Sequence, residues 1–252
     1  MIIDSHLHLP VDFPDFSSKK AALLNELKRN GVERGIVIAD SELESVIGSV
    51  RDCAELFYGS DIISVIAGIS PDFEYASQLG YCRELLESKR IVGLKVYTGN
   101  EDFYCTDSCL APVYDLAAEY NVPVLFHSGW DNAHYAAPKL LKELADNLPD
   151  NVFVYCHCYY PKLDECFEVL SSCHNVYFDT SSVADDEKLL PKIKKSLEKA
   201  IHEMQKRFIF GSDFGSCLQS VHLSLAESLD LTAEERELFM HGNAERVYKL
   251  CR

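Results

Sequence analysis

Short apolar runs alternate along the chain with longer segments in which apolar residues recur every three or four positions. The short runs have the length and β-branched content of buried strands, whereas the longer segments have the period of amphipathic helices. The runs predict eight strands, at 2–9, 35–40, 62–69, 92–98, 123–128, 152–158, 176–180 and 208–213. The longer segments predict helices near 18–30, 42–58, 74–89, 108–120, 137–147, 161–172, 185–206 and 216–229, and two short ones near 233–240 and 243–250.

Residues at the predicted boundaries refine the helices. Ser17 or Ser18 is expected to cap the first helix and Asn243 the last, because these side chains accept hydrogen bonds from free backbone N–H groups. Proline is favoured in the first turn of a helix. Pro191, inside the segment 185–206, therefore predicts that this segment contains two helices.

Eight β-α units in 252 residues predict an α/β protein, a single-domain (β/α)8 TIM barrel that spans residues 1–252. An open, doubly wound sheet would show the same alternation. The positions of the polar residues favour the barrel, because His, Lys and Asp lie at the C-terminal ends of five different runs. A barrel brings those ends to one mouth, whereas an open sheet spreads them along an edge.

Composition narrows the class of function. The formal net charge of −16 argues against a nucleic-acid partner, which requires a basic surface. No apolar run approaches the roughly 18 residues of a membrane span, and a strand that begins at Ile2 leaves no room for a signal peptide. The ten cysteines form no paired Cys-x-x-Cys motifs, and several that lie inside apolar runs are expected as buried free thiols: Cys53, Cys82, Cys156, Cys158 and Cys166. We therefore expect a cytoplasmic protein without a nucleic-acid or membrane partner, and a homodimer stays open.

Four predicted strands end in residues that bind divalent metals. His6 and His8 close the first run, and alternation places both on one face of the strand. His127, His157 and Asp213 close the fifth, sixth and eighth runs. Imidazole nitrogen and carboxylate oxygen are ligands of zinc and similar ions. We expect a divalent ion, zinc in the first place, at the barrel mouth.

Asp213 and His157 are also candidate catalytic residues. A carboxylate beside a metal ion can accept the proton of attacking water, although Asp213 could instead cap the next helix. Alternation along the sixth strand should turn Cys156 and Cys158 outward and His157 inward. His157 is then expected to hydrogen-bond a metal-bound water or a substrate carbonyl, or to hold a second metal.

Lys95 closes the fourth predicted strand, and a lysine inside a barrel is costly unless it has a partner. Three interpretations stay open: an ammonium that binds a substrate carboxylate or carbonyl oxygen, a carbamate that bridges two metals, or an ion pair with a carboxylate such as Asp40.

Further residues at strand ends are candidate substrate contacts, because the loops at this end of a barrel usually carry the site. Tyr97 and Trp130 are the leading candidates, although Trp130 could instead pack at the rim. The remaining candidates are Asp72, Asp131 and Asp179.

Taken together, these motifs resemble the amidohydrolase superfamily, and within it the amidohydrolase 2 branch. The resemblance covers nearly the whole chain. The motifs that carry it are Ile-Asp-Ser-His-Leu-His at 3–8, Val-Gly-Leu-Lys at 92–95, Pro-Val-Leu-Phe-His-Ser-Gly at 123–129, Val-Tyr-Phe-Asp-Thr-Ser at 176–181, Phe-Gly-Ser-Asp at 210–213 and Gly-Asn-Ala-Glu-Arg-Val at 242–247.

The resemblance implies a TIM barrel with zinc or a similar ion at its mouth. His157 would assist catalysis or hold a second ion, and Lys95 matches the position that is carbamylated in two-metal members. The branch often holds one ion, so one is favoured here and two stay open. TatD-type nucleases are less similar, because they carry glutamate at the position of Lys95. The implied metal ligands are His6, His8, His127 and Asp213.

The expected function is a metal-dependent hydrolase in which activated water cleaves an amide, lactone or ester bond of a small molecule. Two alternatives stay open. One is a metal-dependent decarboxylase of an aromatic or unsaturated carboxylic acid, which relatives in this branch suggest. The other is a metal-binding protein without catalytic turnover.

Overall fold

The computed structural model describes residues 1–42, 44–130 and 132–250, so the predicted contact Asp131 lies outside the described residues. Eight parallel strands form one sheet in the order in which they occur in the chain. The strands are β1 (Ile3–Leu7), β2 (Arg34–Ile38), β3 (Ile63–Gly68), β4 (Leu94–Val96), β5 (Val124–Phe126), β6 (Phe153–Cys156), β7 (Val176–Asp179) and β8 (Phe208–Ile209).

The sheet is closed by hydrogen bonds between β1 and the segment that follows β8. The backbone N–H of Asp213 donates to the carbonyl of His6 at 2.8 Å, and that of His8 donates to the carbonyl of Phe214 at 2.7 Å. The predicted (β/α)8 barrel is therefore confirmed, with all eight strands in the expected order.

Helices alternate with the strands and cover the outside of the barrel. None of the described helices is long and apolar enough to cross a membrane. The helices are α1 (Phe16–Arg29), α2 (Val50–Leu56), α3 (Tyr75–Glu87), α4 (Ala111–Tyr120), α5 (Pro138–Asn147), α6 (Leu163–Leu170), α7 (Leu190–Met204), α8 (Gln219–Ser228), α9 (Ala233–Glu237) and α10 (Asn243–Val247).

Two predictions about helix ends were wrong. Asp15, rather than Ser17 or Ser18, caps α1, because the helix begins two residues earlier than predicted and Asp15 accepts a hydrogen bond from the N–H of Ser18 at 2.8 Å. The predicted pair of helices in 185–206 is the single helix α7, with Pro191 in its first turn, where its missing N–H costs no hydrogen bond.

The third wrong prediction concerns Asn243, which does not cap a separate helix. A π-helical turn, Leu238–Gly242, runs directly into α10. The side-chain amide of Asn243 donates to the carbonyls of Gln205 and Phe208 at 2.8 and 2.7 Å. Phe208 is the first residue of β8, so Asn243 anchors α10 at the end of the barrel where the strands begin.

The core has two layers. One fills the space between the strands and the surrounding helices, and the other fills the barrel interior. Residues of α10 join the interior cluster and close it from the end where the strands begin. The active site is therefore expected at the opposite end of the barrel, where the strands end. Interior residues from the strands are Ile3, Ile36, Ile38, Ile66, Leu125, Val154, Cys156 and Ile209.

Candidate active site

A cavity of about 320 Å³ opens at the C-terminal mouth of the barrel. Its size is at the lower end of the range for small-molecule sites. Of the residues singled out from the sequence as metal ligands, catalytic groups or leading substrate contacts, all but Trp130 line it. They are His6, His8, Lys95, Tyr97, His127, His157 and Asp213.

His6, His8 and Asp213 form a group whose ligand atoms all lie within 4.8 Å of one another. The Oδ1 atom of Asp213 is 3.6 Å from Nε2 of His6 and 3.3 Å from Nε2 of His8. This oxygen is buried and has no hydrogen-bond partner among the residues that the structure describes. A buried carboxylate oxygen without a partner is costly, and a cation between these three atoms would remove the cost.

The hydrogen bonds made by the Nδ1 atoms of His6 and His8 determine the tautomers of both imidazoles. Nδ1 of His8 lies 3.0 Å from the carbonyl of Ile38, which can only accept, so Nδ1 carries the hydrogen. Nδ1 of His6 lies 2.5 Å from Oδ2 of Asp179 and donates to this carboxylate. Both Nε2 atoms therefore present lone pairs toward Oδ1 of Asp213. Such outer partners are typical of metal-binding histidines.

The electrostatics of the group favour a neutral His6 and an ionised Asp213. Burial lowers the pKa of His6, although Asp179 and Asp213 oppose this shift. Burial acts to raise the pKa of Asp213, but the neighbouring His6 and His8 outweigh it and hold this pKa well below its usual value. Ser182 further stabilises the carboxylate, because its hydroxyl donates to Oδ2 of Asp213 at 2.5 Å.

The chain reverses sharply after β6, which corrects one prediction. His157, Cys158 and Tyr159 have positive φ values of 63°, 49° and 59°. Such conformations are uncommon for residues other than glycine and cost free energy. Cys158 packs in the outer core layer as expected, but Cys156 faces the barrel interior, so its predicted outward direction was wrong. His157 reaches the mouth through the reversal rather than through strand alternation.

His157 bridges the two sides of the cavity. Its Nδ1 lies 3.1 Å from the carbonyl of Ser181 and 2.9 Å from the hydroxyl of that residue. Since the carbonyl only accepts, Nδ1 carries the hydrogen and Nε2 is an acceptor. Nδ1 of His127 lies 3.2 Å from this Nε2 and donates to it. Burial lowers the pKa of His157 to about 3, although Asp213 opposes the shift.

His127 is the predicted metal ligand that lies outside the His6–His8–Asp213 group. Among the residues that the structure describes, it belongs to no group of three potential ligands with atoms within 4.8 Å of one another. Its ring lies 5.9 Å from that of Trp130 at an interplanar angle of 17°. Burial lowers its pKa well below the usual value, with further contributions from His157 and Lys95.

Lys95 is almost fully buried, with 1% of its surface exposed. Its Nζ lies 3.1 Å from Sγ of Cys156 and 5.5 Å from the centre of the Tyr97 ring. Within the described parts of the chain no carboxylate lies within 4.0 Å of Nζ, so the ion pair with Asp40 does not form. That alternative was wrong.

Tyr97, Trp130 and Asp179 have distinct positions. The hydroxyl of Tyr97 donates to the carbonyl of Ala39 at 3.2 Å, and its ring lines the cavity. Trp130, 43% exposed, lies at the rim beside the His127 and His157 rings. Asp179 is fully buried behind His6, so it is not placed to touch a substrate.

Several residues that shape the site were not predicted as site residues from the sequence. Glu101 lines the cavity, and Ser181 lies within hydrogen-bond distance of both His6 and His157. Asp4 accepts hydrogen bonds from the N–H and hydroxyl of Ser212, at 2.9 and 2.5 Å, and so ties β1 to the segment after β8. Asp4 and Ser181 lie inside motifs that the sequence singled out, at 3–8 and 176–181, whereas Glu101 lies in none of them.

Known structures share this barrel over their full length. An uncharacterised TIM-barrel protein from Bordetella bronchiseptica is 19% identical, with a TM-score of 0.79 over 99% of this chain and 98% of that chain. The 5-carboxyvanillate decarboxylase of Sphingomonas paucimobilis is 12% identical, with a TM-score of 0.71 over 99% of both chains. A dihydroxybenzoic acid decarboxylase from Polaromonas, with bound manganese and the inhibitor 2-nitroresorcinol, is 14% identical, with a TM-score of 0.68 over 100% of this chain and 97% of that chain.

At these identities the structural matches establish the fold alone. A comparison with curated proteins gives no significant match. A family model described as Amidohydrolase matches residues 66–250, which is well over half of the chain. The resemblance in the sequence is thereby confirmed: the chain belongs to the amidohydrolase family.

Proposed function

We propose that this protein is a metal-dependent decarboxylase of a small aromatic or unsaturated carboxylic acid. The observation that carries the proposal is the buried ammonium of Lys95, which lines the same cavity as the His6–His8–Asp213 group. Its only hydrogen bond in the described structure is to a thiol, which is a weak acceptor. A substrate carboxylate would supply the missing counter-charge.

The same observation argues against the two-metal hydrolase. A carbamate on Lys95 would have to displace the contact of 3.1 Å between Nζ and Sγ of Cys156. A second group, His6, Cys156 and Asp179, shares His6 with the first. Its atoms are already engaged, because Asp179 accepts from His6 and Cys156 contacts Lys95. We therefore propose one ion.

His6, His8 and Asp213 would hold this ion, and their two nitrogens and one oxygen suit zinc and manganese alike. When bound, the ion supplies positive charge that binds and polarises a substrate oxygen. His127 lies across the cavity, where it would orient the acceptor nitrogen of His157. Manganese in the Polaromonas decarboxylase supports testing that metal beside zinc.

Each residue of the site has its own role in the proposed reaction. Lys95 holds the substrate carboxylate with a charge-assisted hydrogen bond. The bond between the substrate carbon and the carboxylate breaks, its electron pair stays on that carbon, and carbon dioxide leaves. Asp213, which is ionised at rest, takes a proton from water and passes it to that carbon, so each turnover consumes one proton. Tyr97 and Trp130 offer aromatic surfaces beside the substrate ring.

Hydrolysis stays the second candidate because of one specific feature. The low pKa of Asp213 results from His6 and His8 outweighing the effect of burial. An ionised carboxylate at this position is suited to take a proton from water, which hydrolysis requires.

The deciding experiment measures two reactions on one preparation. Protein loaded with manganese or zinc is offered a panel of aromatic and unsaturated acids, with release of carbon dioxide as the readout, and a panel of lactones, esters and amides. We expect carbon dioxide release and a fall in kcat/KM of about 10- to 100-fold in Lys95→Met, the worth of one charged hydrogen bond. Lys142→Met removes an exposed lysine and serves as the control. Hydrolysis without carbon dioxide release would select the second candidate.

A further inference from the structure

One wall of the cavity is acidic and is held in place by serine hydroxyls. Ser70 donates to Oε2 of Glu101 at 2.5 Å, and Ser41 lies 3.3 Å from Oε1 of Glu101 and 3.5 Å from Oδ1 of Asp40. Ser45 donates to Oδ2 of Asp40 at 2.7 Å. We call Asp40, Ser41, Ser70 and Glu101 the acidic wall. These residues follow β2, β3 and β4.

Glu101 of the acidic wall lies opposite Asp213 of the metal-binding group, whereas Asp40 follows β2, the neighbour of the strand β1 that carries His6 and His8. Strands four apart in an eight-stranded barrel face each other across its axis. Glu101 follows β4 and Asp213 follows β8, while Asp40 follows β2 and His157 follows β6. All four residues line the same cavity. A small ligand can therefore contact the metal group with one end and the acidic wall with the other.

The carboxylates of the acidic wall have acceptor capacity to spare. A carboxylate offers about four lone-pair positions, and the serines engage at most one or two on each group. Within the described residues no Lys, Arg or His lies within 4.0 Å of Asp40 or Glu101. Burial raises the pKa of Glu101, although the hydrogen bonds from Ser70 and Ser41 oppose this shift.

Two separate features show that this cavity is built around a ligand. Oδ1 of Asp213 has no hydrogen-bond partner, although only 7% of that residue is exposed. Lys95 presents a buried ammonium whose one hydrogen-bond acceptor is the thiol of Cys156. The cavity thus carries an uncompensated positive group as well as the uncompensated negative groups of the acidic wall.

We propose that the substrate is a small zwitterion: an acid that carries a cationic amine at the end remote from its carboxylate. The carboxylate binds Lys95, and the amine donates to Glu101 and Asp40. This inference rests on the proposed decarboxylase function, because that function places the carboxylate at Lys95. An acid with a second carboxylate in place of the amine would be repelled by the acidic wall.

Calorimetric titration of the full chain, loaded with manganese, tests this proposal. The four probes are benzoate, 4-(aminomethyl)benzoate, terephthalate and benzylamine. We expect 4-(aminomethyl)benzoate to bind about tenfold more tightly than benzoate, the worth of roughly one charged hydrogen bond, and terephthalate to bind more weakly than benzoate. Glu101→Gln and Asp40→Asn should each reduce the preference for the amine, while retaining the size of the side chain.

Controls separate the two proposals. Glu119→Gln removes an exposed carboxylate on α4 and should leave the preference unchanged. Equal binding of terephthalate and 4-(aminomethyl)benzoate, or a preference that survives in the Glu101→Gln/Asp40→Asn double variant, overturns the acidic wall as an amine site. If benzylamine binds in a Glu101-dependent manner while no acid binds, the acidic wall stands and the proposed decarboxylase fails. If no probe binds, both are overturned.

Discussion

Asp179 gives the sharpest test of the candidate metal group, because it touches the group only through His6. The carboxylate is fully buried, and its Oδ2 accepts from Nδ1 of His6 at 2.5 Å. This contact keeps the hydrogen on Nδ1 and leaves Nε2 free to bind a metal. The variant Asp179→Asn has nearly the same shape but lacks the charge, and its amide can turn a donor toward Nδ1, which would favour the wrong tautomer.

The expected loss can be bounded in two ways. Removing an outer partner of a metal-binding histidine costs about 10- to 100-fold in metal affinity. A hydrogen bond to a charged group is worth about 1.5–3 kcal/mol, which corresponds to a similar factor. Since the two bounds agree, we expect Asp179→Asn to weaken manganese or zinc binding by about 10- to 100-fold, without an effect on the strands that carry the other ligands.

Competition with a chromogenic chelator measures this affinity directly, without a substrate. Asp72→Asn makes the same chemical change on an exposed side chain after β3 and is the matched control. A thermal melt of each metal-free variant separates a local effect on His6 from a loss of folded protein. An affinity in Asp179→Asn within twofold of the control, in folded protein, would refute the assignment of His6 as a ligand oriented by Asp179.

Three further predictions concern the same mouth of the barrel. Asp213→Asn should keep the fold but lose about 10²- to 10⁴-fold of the turnover, the range for one acid–base group, and a near wild-type rate would remove Asp213 from the chemistry. Mass spectrometry of untagged protein should find about one metal per chain in both wild type and Lys95→Ala, whereas two ions falling to one or none would indicate a carbamate bridge. Gly211→Ala would place a methyl group 2.3 Å from Oδ1 of Asp179, so we expect weaker metal binding and about 1–3 kcal/mol less stability, measured by denaturant titration. Gly80→Ala, with open space around its Cβ position on α3, should show neither effect.

The strands could be located from the sequence because a parallel barrel buries both faces of every strand. Each strand therefore appears as a continuous apolar run. The ends were less predictable, because pairing depends on distant segments. The run 208–213 was expected to be one strand, but β8 ends at Ile209. Beyond that point the backbone bonds to β1 instead, as the contact between Asp213 and His6 shows.

The reversal after β6 shows a second limit. Alternation predicted an inward His157 with outward neighbours, and it succeeded for His157 while it failed for Cys156. Three successive left-handed residues follow the strand, and none of them is glycine. No local propensity indicates such a run. It is stabilised by tertiary contacts such as the one between His157 and the carbonyl of Ser181.

Some contacts within the site could not be predicted, because the two residues of each contact are distant in the sequence. The motif ending in His6 and His8 was readable because both ligands lie on one strand. Asp179 acts on His6 across 173 positions, and Ser70 positions Glu101 across 31. A single sequence carries no information on such pairs, because either residue alone resembles an ordinary polar group at a strand end.

The electrostatic state of the cavity connects these observations. A buried ammonium and a half-buried carboxylate each cost free energy unless they are paired, and in the described chain Lys95 and Glu101 line one cavity without forming an ion pair. An ion pair between the two side chains would lower the free-energy cost of both charges. Instead, Lys95 contacts Cys156 and Glu101 accepts a hydrogen bond from Ser70. A fold that keeps opposite charges apart in one cavity is pre-organised for a ligand with opposite charges at its ends. Neutralising Lys95 and Glu101 together, by Lys95→Met and Glu101→Gln, should therefore stabilise the ligand-free protein while abolishing binding of the zwitterion.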